Sequence, residues 1–199
     1  MTTSSPRPLR ADAARNRALL LAAAADEFAE HGLDASVADI ARRAGVGKGT
    51  VFRHFPTKDD LIAAIVLDRI EDLSATGERL LDAEDPGTAL LEFLTAAAQQ
   101  RQQRDLSFLQ GAADQPAVDR ARTRMSEAIH ALVARAREHG AIRADVTAED
   151  IFLLMCAPNY VTGYVPDASP DLWRRYLAII FDGLRPEGAH TLPQPPPTL

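Results

Sequence analysis

The stretch from Ser36 to Phe55, SVADIARRAGVGKGTVFRHF, constrains this chain more than any other. Val37, Ile40, Ala41 and Ala44 fall at i, i+3, i+4 and i+7, the spacing of one apolar helix face. Ser36 stands at the N-cap position, and Asp39 three residues on forms a weak capping box. Gly45 breaks the helix and Val46 is an inward anchor. A second short helix is predicted from about Gly47 to Phe55, with Val51 and Phe55 turned into a core. Lys48, Gly49, Thr50, Arg53 and His54 are left facing outward. A glycine inside a helix costs about 1 kcal/mol relative to alanine, so Gly47 and Gly49 ill suit a helix needed only for packing. They suit a helix whose backbone another surface must approach. Lys48, Thr50, Arg53 and His54 are hydrogen-bond donors matched to phosphates. Helix, glycine turn and a second helix with a small, basic outer face is the helix-turn-helix pattern, whose second helix enters the DNA major groove. The plainer alternative is a surface helical hairpin.

Residues 12–62 resemble the DNA-binding domain of the TetR family of bacterial transcriptional regulators. The resemblance is carried by Phe28-Ala29-Glu30-His31-Gly32 at the end of a long first helix, by Ser36 to Ala41, by Ala44-Gly45-Val46, and by Gly49 to Phe55, with Lys58 and Leu61 following. It covers about a quarter of the chain. It implies DNA contacts from Ser36, Gly47, Lys48, Gly49, Thr50, Phe52, Arg53, His54 and Lys58. One position departs: the family often has a tyrosine, its hydroxyl on a phosphate, where this chain has Phe52. Phe52 can only pack or make apolar contact.

The chain has 199 residues, 46% of them hydrophobic and 25% charged, as in ordinary globular proteins. Alanine and arginine are abundant and lysine is rare. The lone cysteine, Cys156, excludes an intramolecular disulfide. No apolar run is long enough to span a bilayer and no leader pattern is seen, so a cytoplasmic protein, nucleoid-associated when bound to DNA, is expected. The net charge of −6 argues at first against a nucleic-acid partner. Residues 1–60, however, carry nine Lys or Arg against eight acids, and the remainder carries −7. DNA affinity follows the local phosphate-facing charge rather than the total.

Taken in order, the spacing predicts an all-α chain of about nine helices, with no period-two segment and no repeat. Residues 1–11 are expected as a disordered arm. Helix 1 should run from about Asp12 to His31 on a stripe of Leu21, Ala24, Ala25 and Phe28. Thr57 with Asp60 caps a long helix through Ile62, Ile65, Val66, Ile70 and Leu73 to about Ala83. It links residues 12–56, a three-helix helix-turn-helix domain, to a helical bundle over residues 57–185. Asp85-Pro86 restarts the chain. The stretch 99–104 is either a break or a continuation. A short helix holds Leu106, Phe108 and Leu109. Pro116 opens a long helix with Val118, Met125, Ile129, Leu132, Val133 and Ala136 inward, stopped by Gly140. Thr147 with Asp150 caps the next, which Pro158 should kink or end. Ser169-Pro170 starts the last. Residues 186–199 are expected as a disordered, Pro-rich tail.

Nothing recommends an enzyme. Gly45 to Thr50 looks like a phosphate-binding loop, but Gly49 follows the lysine where Ser or Thr is required, and the loop follows a helix. None of the histidines His31, His54, His130, His139 and His190 pairs with another histidine or cysteine at metal spacing. No metal or cofactor is expected. The apolar and aromatic side chains of residues 90–181 read singly as core. The resemblance implies a small-molecule effector in this domain, for which Phe93, Phe108, Met125, Ile129, Phe152, Met155 and Tyr160 are the candidates. It also implies a homodimer through the last two helices, with Ile151, Leu154, Trp173, Tyr176, Leu177, Ile180 and Phe181 as candidates. The reading is a regulator, a repressor released from a near-palindromic duplex operator by its effector. The alternative is a helical small-molecule binding protein or enzyme with no DNA function.

Overall fold

The computed structural model describes residues 7–104, 106, 109, 115–187 and 189–197, with side chains from Arg15 onward. Among these residues the chain forms nine α-helices, one 3-10 turn and no strand. They are α1 (Arg7–His31), the turn (Gly32–Asp34), α2 (Val37–Arg43), α3 (Lys48–His54), α4 (Lys58–Leu80), α5 (Pro86–Gln103), α6 (Pro116–Glu138), α7 (Ala148–Leu154), α8 (Ala157–Thr162) and α9 (Leu172–Leu184). The all-α expectation holds. The segment expected as an arm is helical from Arg7, five residues before the expected start at Asp12. Pro8 does not oppose this, because the first turn of a helix leaves its N–H groups unpaired anyway.

The chain divides into two compact units. One comprises residues up to Asp68 with the segment 104–115; the other comprises residues 69–103 and 116 onward. The division therefore falls inside α4, between Asp68 and Arg69.

In the first unit, Leu20, Leu21, Ala24 and Phe28 of α1 are buried with Ile40, Val51, Phe55, Leu61 and Ile62. α2 ends in a glycine turn: Gly45 has φ +68°, and the Gly45 and Val46 N–H groups donate to the Arg42 and Ala41 carbonyls at 3.1 and 3.0 Å. This is a Schellman motif, which needs a residue at ease in the left-handed region. Arg43 then clamps α2 to α1. Its guanidinium donates to Glu30 at 2.7 Å and pairs with the buried Glu27 at 2.9 Å. α4 opens with a full capping box: Thr57 N–H to the Asp60 carboxylate at 3.1 Å, and Asp60 N–H to Thr57 Oγ1 at 3.0 Å.

In the second unit α5 is central and packs against α6, α8 and α9. Asp85 caps it through the Gly87 N–H at 2.9 Å, and the helix runs on through Gln103, so the stretch left open in the sequence is a continuation. Leu90, Phe93, Leu94 and Ala98 are fully buried, as are Val118, Ile129, Leu132 and Ala136 of α6. α4 meets them at Gly77, where an added Cβ would lie 3.1 Å from Ala128 Cβ and 3.2 Å from Phe93 Cε2. Arg135 of α6 donates to the Leu80, Leu81 and Ala83 carbonyls and so satisfies the end of α4. The single helix expected from Thr147 is two. The Thr147–Asp150 box forms as expected, α7 stops at Leu154, and Pro158 enters as the second residue of α8. A continuous helix would drive the Pro158 ring into the Leu154 carbonyl four residues back. α9 starts at Leu172, two residues past Ser169-Pro170; Asp171 holds the N-cap position without a side-chain cap, its carboxylate accepting instead from Arg174 at 2.9 Å. Of the tail expected as disordered, residues 189–197 carry no helix, and the Arg143 guanidinium donates to the His190 carbonyl. The short helix expected around Leu106 to Leu109 falls largely outside the described residues; Leu106 and Leu109 themselves are buried.

Candidate nucleic-acid interface

The face of α3 turned away from Val51 and Phe55 is chemically unusual. Gly47, Lys48, Gly49, Phe52 and Arg53 are exposed, and Thr50 and His54 half-exposed. No heavy atom lies within 4 Å of where a Cβ would stand on Gly47 or Gly49. Internal packing therefore does not account for either glycine. Lys48 and Arg53 have no carboxylate partner among the described residues; Arg53 makes only a long contact with Thr50 Oγ1, 3.4 Å. Nearby, Arg15 and Arg17 of α1 are exposed, and the Arg17 guanidinium lies 5.4 Å from the centre of the Phe55 ring. The His54 ring is tilted relative to that of Phe55, with centres 6.2 Å apart.

Among the described residues, Arg42, Arg43 and Lys58 of this unit make internal contacts. Arg42 pairs with Asp39 at 2.6 Å, and Arg43 with Glu27 and Glu30. The Ser36 hydroxyl caps α2 by accepting the Asp39 N–H at 3.2 Å and hydrogen-bonds the Asp39 carboxylate, which with Arg42 holds that carboxyl below its usual range. Hydrogen bonding to Arg43 lowers Glu30 in the same way. Glu27, Glu30 and His31 crowd together as metal ligands can, with ligand atoms within 4.8 Å, but Arg43 occupies both carboxylates. Lys58 donates to the Leu33 carbonyl and lies 5.5 Å from the Phe28 ring centre, so its first task is to fasten α4 to the 3-10 turn. Two of its three N–H donors are left for a phosphate.

The expected effector residues do not come together. Phe93, Met125 and Ile129 are buried in the packing of α5 and α6, Met155 is half-buried at the end of α7, and Phe152 and Tyr160 are exposed. Phe108 lies outside the described residues. A groove of about 800 Å³ runs along α6, lined by Arg122, Thr123, Ser126, Glu127, His130 and Ala131, none of them in the expected set. The helical period explains the split: Met125 and Ile129 lie four apart on the inward stripe, while Phe152 follows the buried Ile151 and turns away from it. The expected dimer residues fall into two groups. Ile151, Trp173, Leu177 and Phe181 are 0–5% exposed within the single chain and belong to its own core; Leu154, Tyr176 and Ile180 are half-exposed. The apolar side chains that are open are Phe152, Leu153, Tyr160, Val161, Tyr164 and Ile179. A signal for them was present: Phe152-Leu153 and Ile179-Ile180 put apolar residues on both flanks of a buried stripe.

Residues 20–65 match the family model of bacterial regulatory proteins of the tetR family, and residues 85–186 match that of the transcriptional regulator SbtR-like C-terminal domain. Over 70 residues the chain is 47% identical to the HTH-type transcriptional repressor Rv3405c of Mycobacterium tuberculosis, a match spanning 35% of each protein. It is 27% identical over 190 residues to the HTH-type transcriptional repressor KstR2 of Mycolicibacterium smegmatis, covering 86% of this chain and 91% of that one. Among solved structures, a TetR transcription regulatory protein from Mycobacterium vanbaalenii is 38% identical with a TM-score of 0.60, covering 89% of this chain and 99% of that one. With both halves matched and the fold shared along nearly the whole length, the chain belongs to the TetR family of bacterial transcriptional regulators.

Proposed function

We propose that this protein is a homodimeric repressor that binds a near-palindromic duplex operator and is released from it by a small-molecule effector. The observation that carries the reading is the outer face of α3: two glycines that no side chain among the described residues covers, beside Lys48 and Arg53, which have no carboxylate partner among those residues. Phosphate contacts set register and base contacts set sequence. Ser36, Thr50, His54 and the spare donors of Lys58 suit phosphates. Lys48 and Arg53 suit base edges, with guanine O6 and N7 as the matching acceptors. Two copies of α3 reach successive major grooves when they are about one helical turn apart, roughly 34–36 Å.

The exposed apolar side chains of α7, α8 and α9 supply a surface for the second copy. α4 runs without interruption from the first unit into the second. An effector that binds one arrangement of the second unit more tightly than another shifts the population and, through α4, the recognition helices. Work on DNA places the protein in the cytoplasm.

The test is selection from random duplexes, followed by fluorescence anisotropy of the selected site at several salt concentrations. The expected result is sequence-selective binding with a steep salt slope, about 0.9 log units per released phosphate contact. The double variant Lys48→Ala, Thr50→Ala should lose it. Wild-type protein that enriches no sequence and binds every duplex alike overturns the reading.

A further inference from the structure

Phe52 is the one large apolar side chain on the exposed part of α3, and it is 47% exposed. It is not part of the core. The core contribution of this helix comes from Val51, 1% exposed, and from Phe55 at its end, 5% exposed. Phe52 stands one turn from Lys48 and next to Arg53, the two side chains assigned to base edges, and three residues from the open Gly49. A phenylalanine ring has no donor or acceptor, so it cannot read an amide, an amine or a phosphate. One feature of the major groove answers it: the 5-methyl group of thymine, the only apolar point on the base edges there. Gly49 matters to this fit. Without a side chain at that position the backbone of α3 can lie closer to the bases, as a ring seated flush against a methyl requires.

We propose that Phe52 is a specificity residue that reads a thymine methyl group, once in each half of the operator. This rests on the DNA-binding reading above and extends it from affinity to sequence. A ring that turned instead toward deoxyribose would add affinity without sequence preference.

The experiment is a deoxyuridine scan. Each thymine of the selected site is replaced in turn by deoxyuridine, which removes the 5-methyl and leaves every hydrogen bond of the pair in place. Binding is measured for wild type, Phe52→Ala and Phe52→Leu. In wild type one thymine, and its symmetry mate, should stand out. Losing its methyl should weaken binding roughly fourfold per half-site, the ratio that burying one such group produces. In Phe52→Ala that position should become flat, while other thymines keep their wild-type response. Phe52→Leu, apolar but smaller, should keep a reduced response at the same position. Two results overturn the proposal. One is a scan with the same profile in wild type and Phe52→Ala. The other is a Phe52→Ala that loses affinity equally on every duplex, the signature of a sugar contact or of a damaged fold. A wild-type protein that enriches no sequence removes the parent reading; an enriched site with a flat scan removes this inference alone.

Discussion

At α3 the exposed residues are Gly47 just before it, Lys48, Gly49, Arg53 and one large apolar side chain, Phe52; on α7 to α9 the exposed apolar side chains Phe152, Leu153, Tyr160, Val161 and Ile179 stand beside exposed Arg174, Arg175 and Asp182. Both helix sets are short and both bury a clean inner stripe, so their stability gives no reason for the contrast. The outer faces differ in what they can offer water. Lys48 and Arg53 are well solvated alone and await a charged surface. The apolar set of α7 to α9 is poorly solvated, and covering it releases roughly 25 cal/mol for each Å² removed from water. A surface built for a polyanion stays wet until it meets one. An apolar surface, such as the one proposed for a second copy, gains from being covered at all times. The Tyr160 and Tyr164 hydroxyls, 2.8 Å apart with rings edge to face, satisfy each other across the second surface and leave ring carbon to be covered.

The comparison breaks first at the core of the second unit, beneath α7 to α9. Phe93 is fully buried against Gly77 and Ala128. Phe93→Ala should cost about 3–5 kcal/mol in a denaturant titration, the range for a large aromatic removed from a packed interior. Phe152→Ala, one of the exposed set, should change the stability of a dilute monomer by under about 0.5 kcal/mol. Equal losses would mean that Phe152 is core and the apolar surface smaller than described. The next effect is on assembly. Leu153→Glu places a charge in the proposed interface and should raise the dimer dissociation constant by roughly thirtyfold or more, read by sedimentation velocity, as expected near an interface centre. An unchanged association would move the interface off α7.

How much of this was legible in the sequence depended on the range of the interaction. The boxes at Thr57–Asp60 and Thr147–Asp150, the Asp85-Pro86 start and the Gly45 turn were all readable, because each is closed within a few residues and written in spacing. The Arg43 clamp onto Glu27 and Glu30 was not, and neither was Arg135 reaching the end of α4, because packing alone brings those groups together. The α3 face was legible through a motif that joins residue types at fixed spacing. On α7 to α9 periodicity reports that a stripe is apolar and not which body covers it. Trp173, Leu177 and Phe181 were assigned to a partner and lie against the chain's own helices.

The turn between α2 and α3 sharpens the comparison, since it sets the angle at which α3 is shown. Gly45 holds φ at +68°, with open space around it. Gly45→Val should cost about 1–2 kcal/mol from the left-handed conformation alone, because no neighbour is crowded. Thermal unfolding measures it. A neutral result would mean that the turn can adopt another conformation, and the presentation of α3 would not be fixed.

The smallest effect expected is a pH dependence, and it separates two caps that look alike in sequence. At α4 the box is reciprocal, with Thr57 N–H on the Asp60 carboxylate. At α2 only the Ser36 hydroxyl reaches Asp39. Hydrogen bonds from the Thr57 hydroxyl and backbone, with Gln115, hold the Asp60 carboxyl below its ordinary value of 3.8. A carboxyl lowered on folding adds stability that is complete above its unfolded value and is lost as pH falls through the folded one. The gap in melting temperature between wild type and Asp60→Asn should therefore be widest near neutral pH and should close as the solution is acidified below 3.8. For Asp39→Asn the same closure is expected from the Ser36 and Arg42 contacts, but salt should shrink its gap at neutral pH, since Arg42 contributes by charge from an exposed position. The Asp60 gap should resist salt, because the groups that hold its carboxylate among the described residues, Thr57 and Gln115, are neutral donors. A gap that widens in acid would mean that Asp60 is stabilised in its protonated form, contrary to the bonds it accepts.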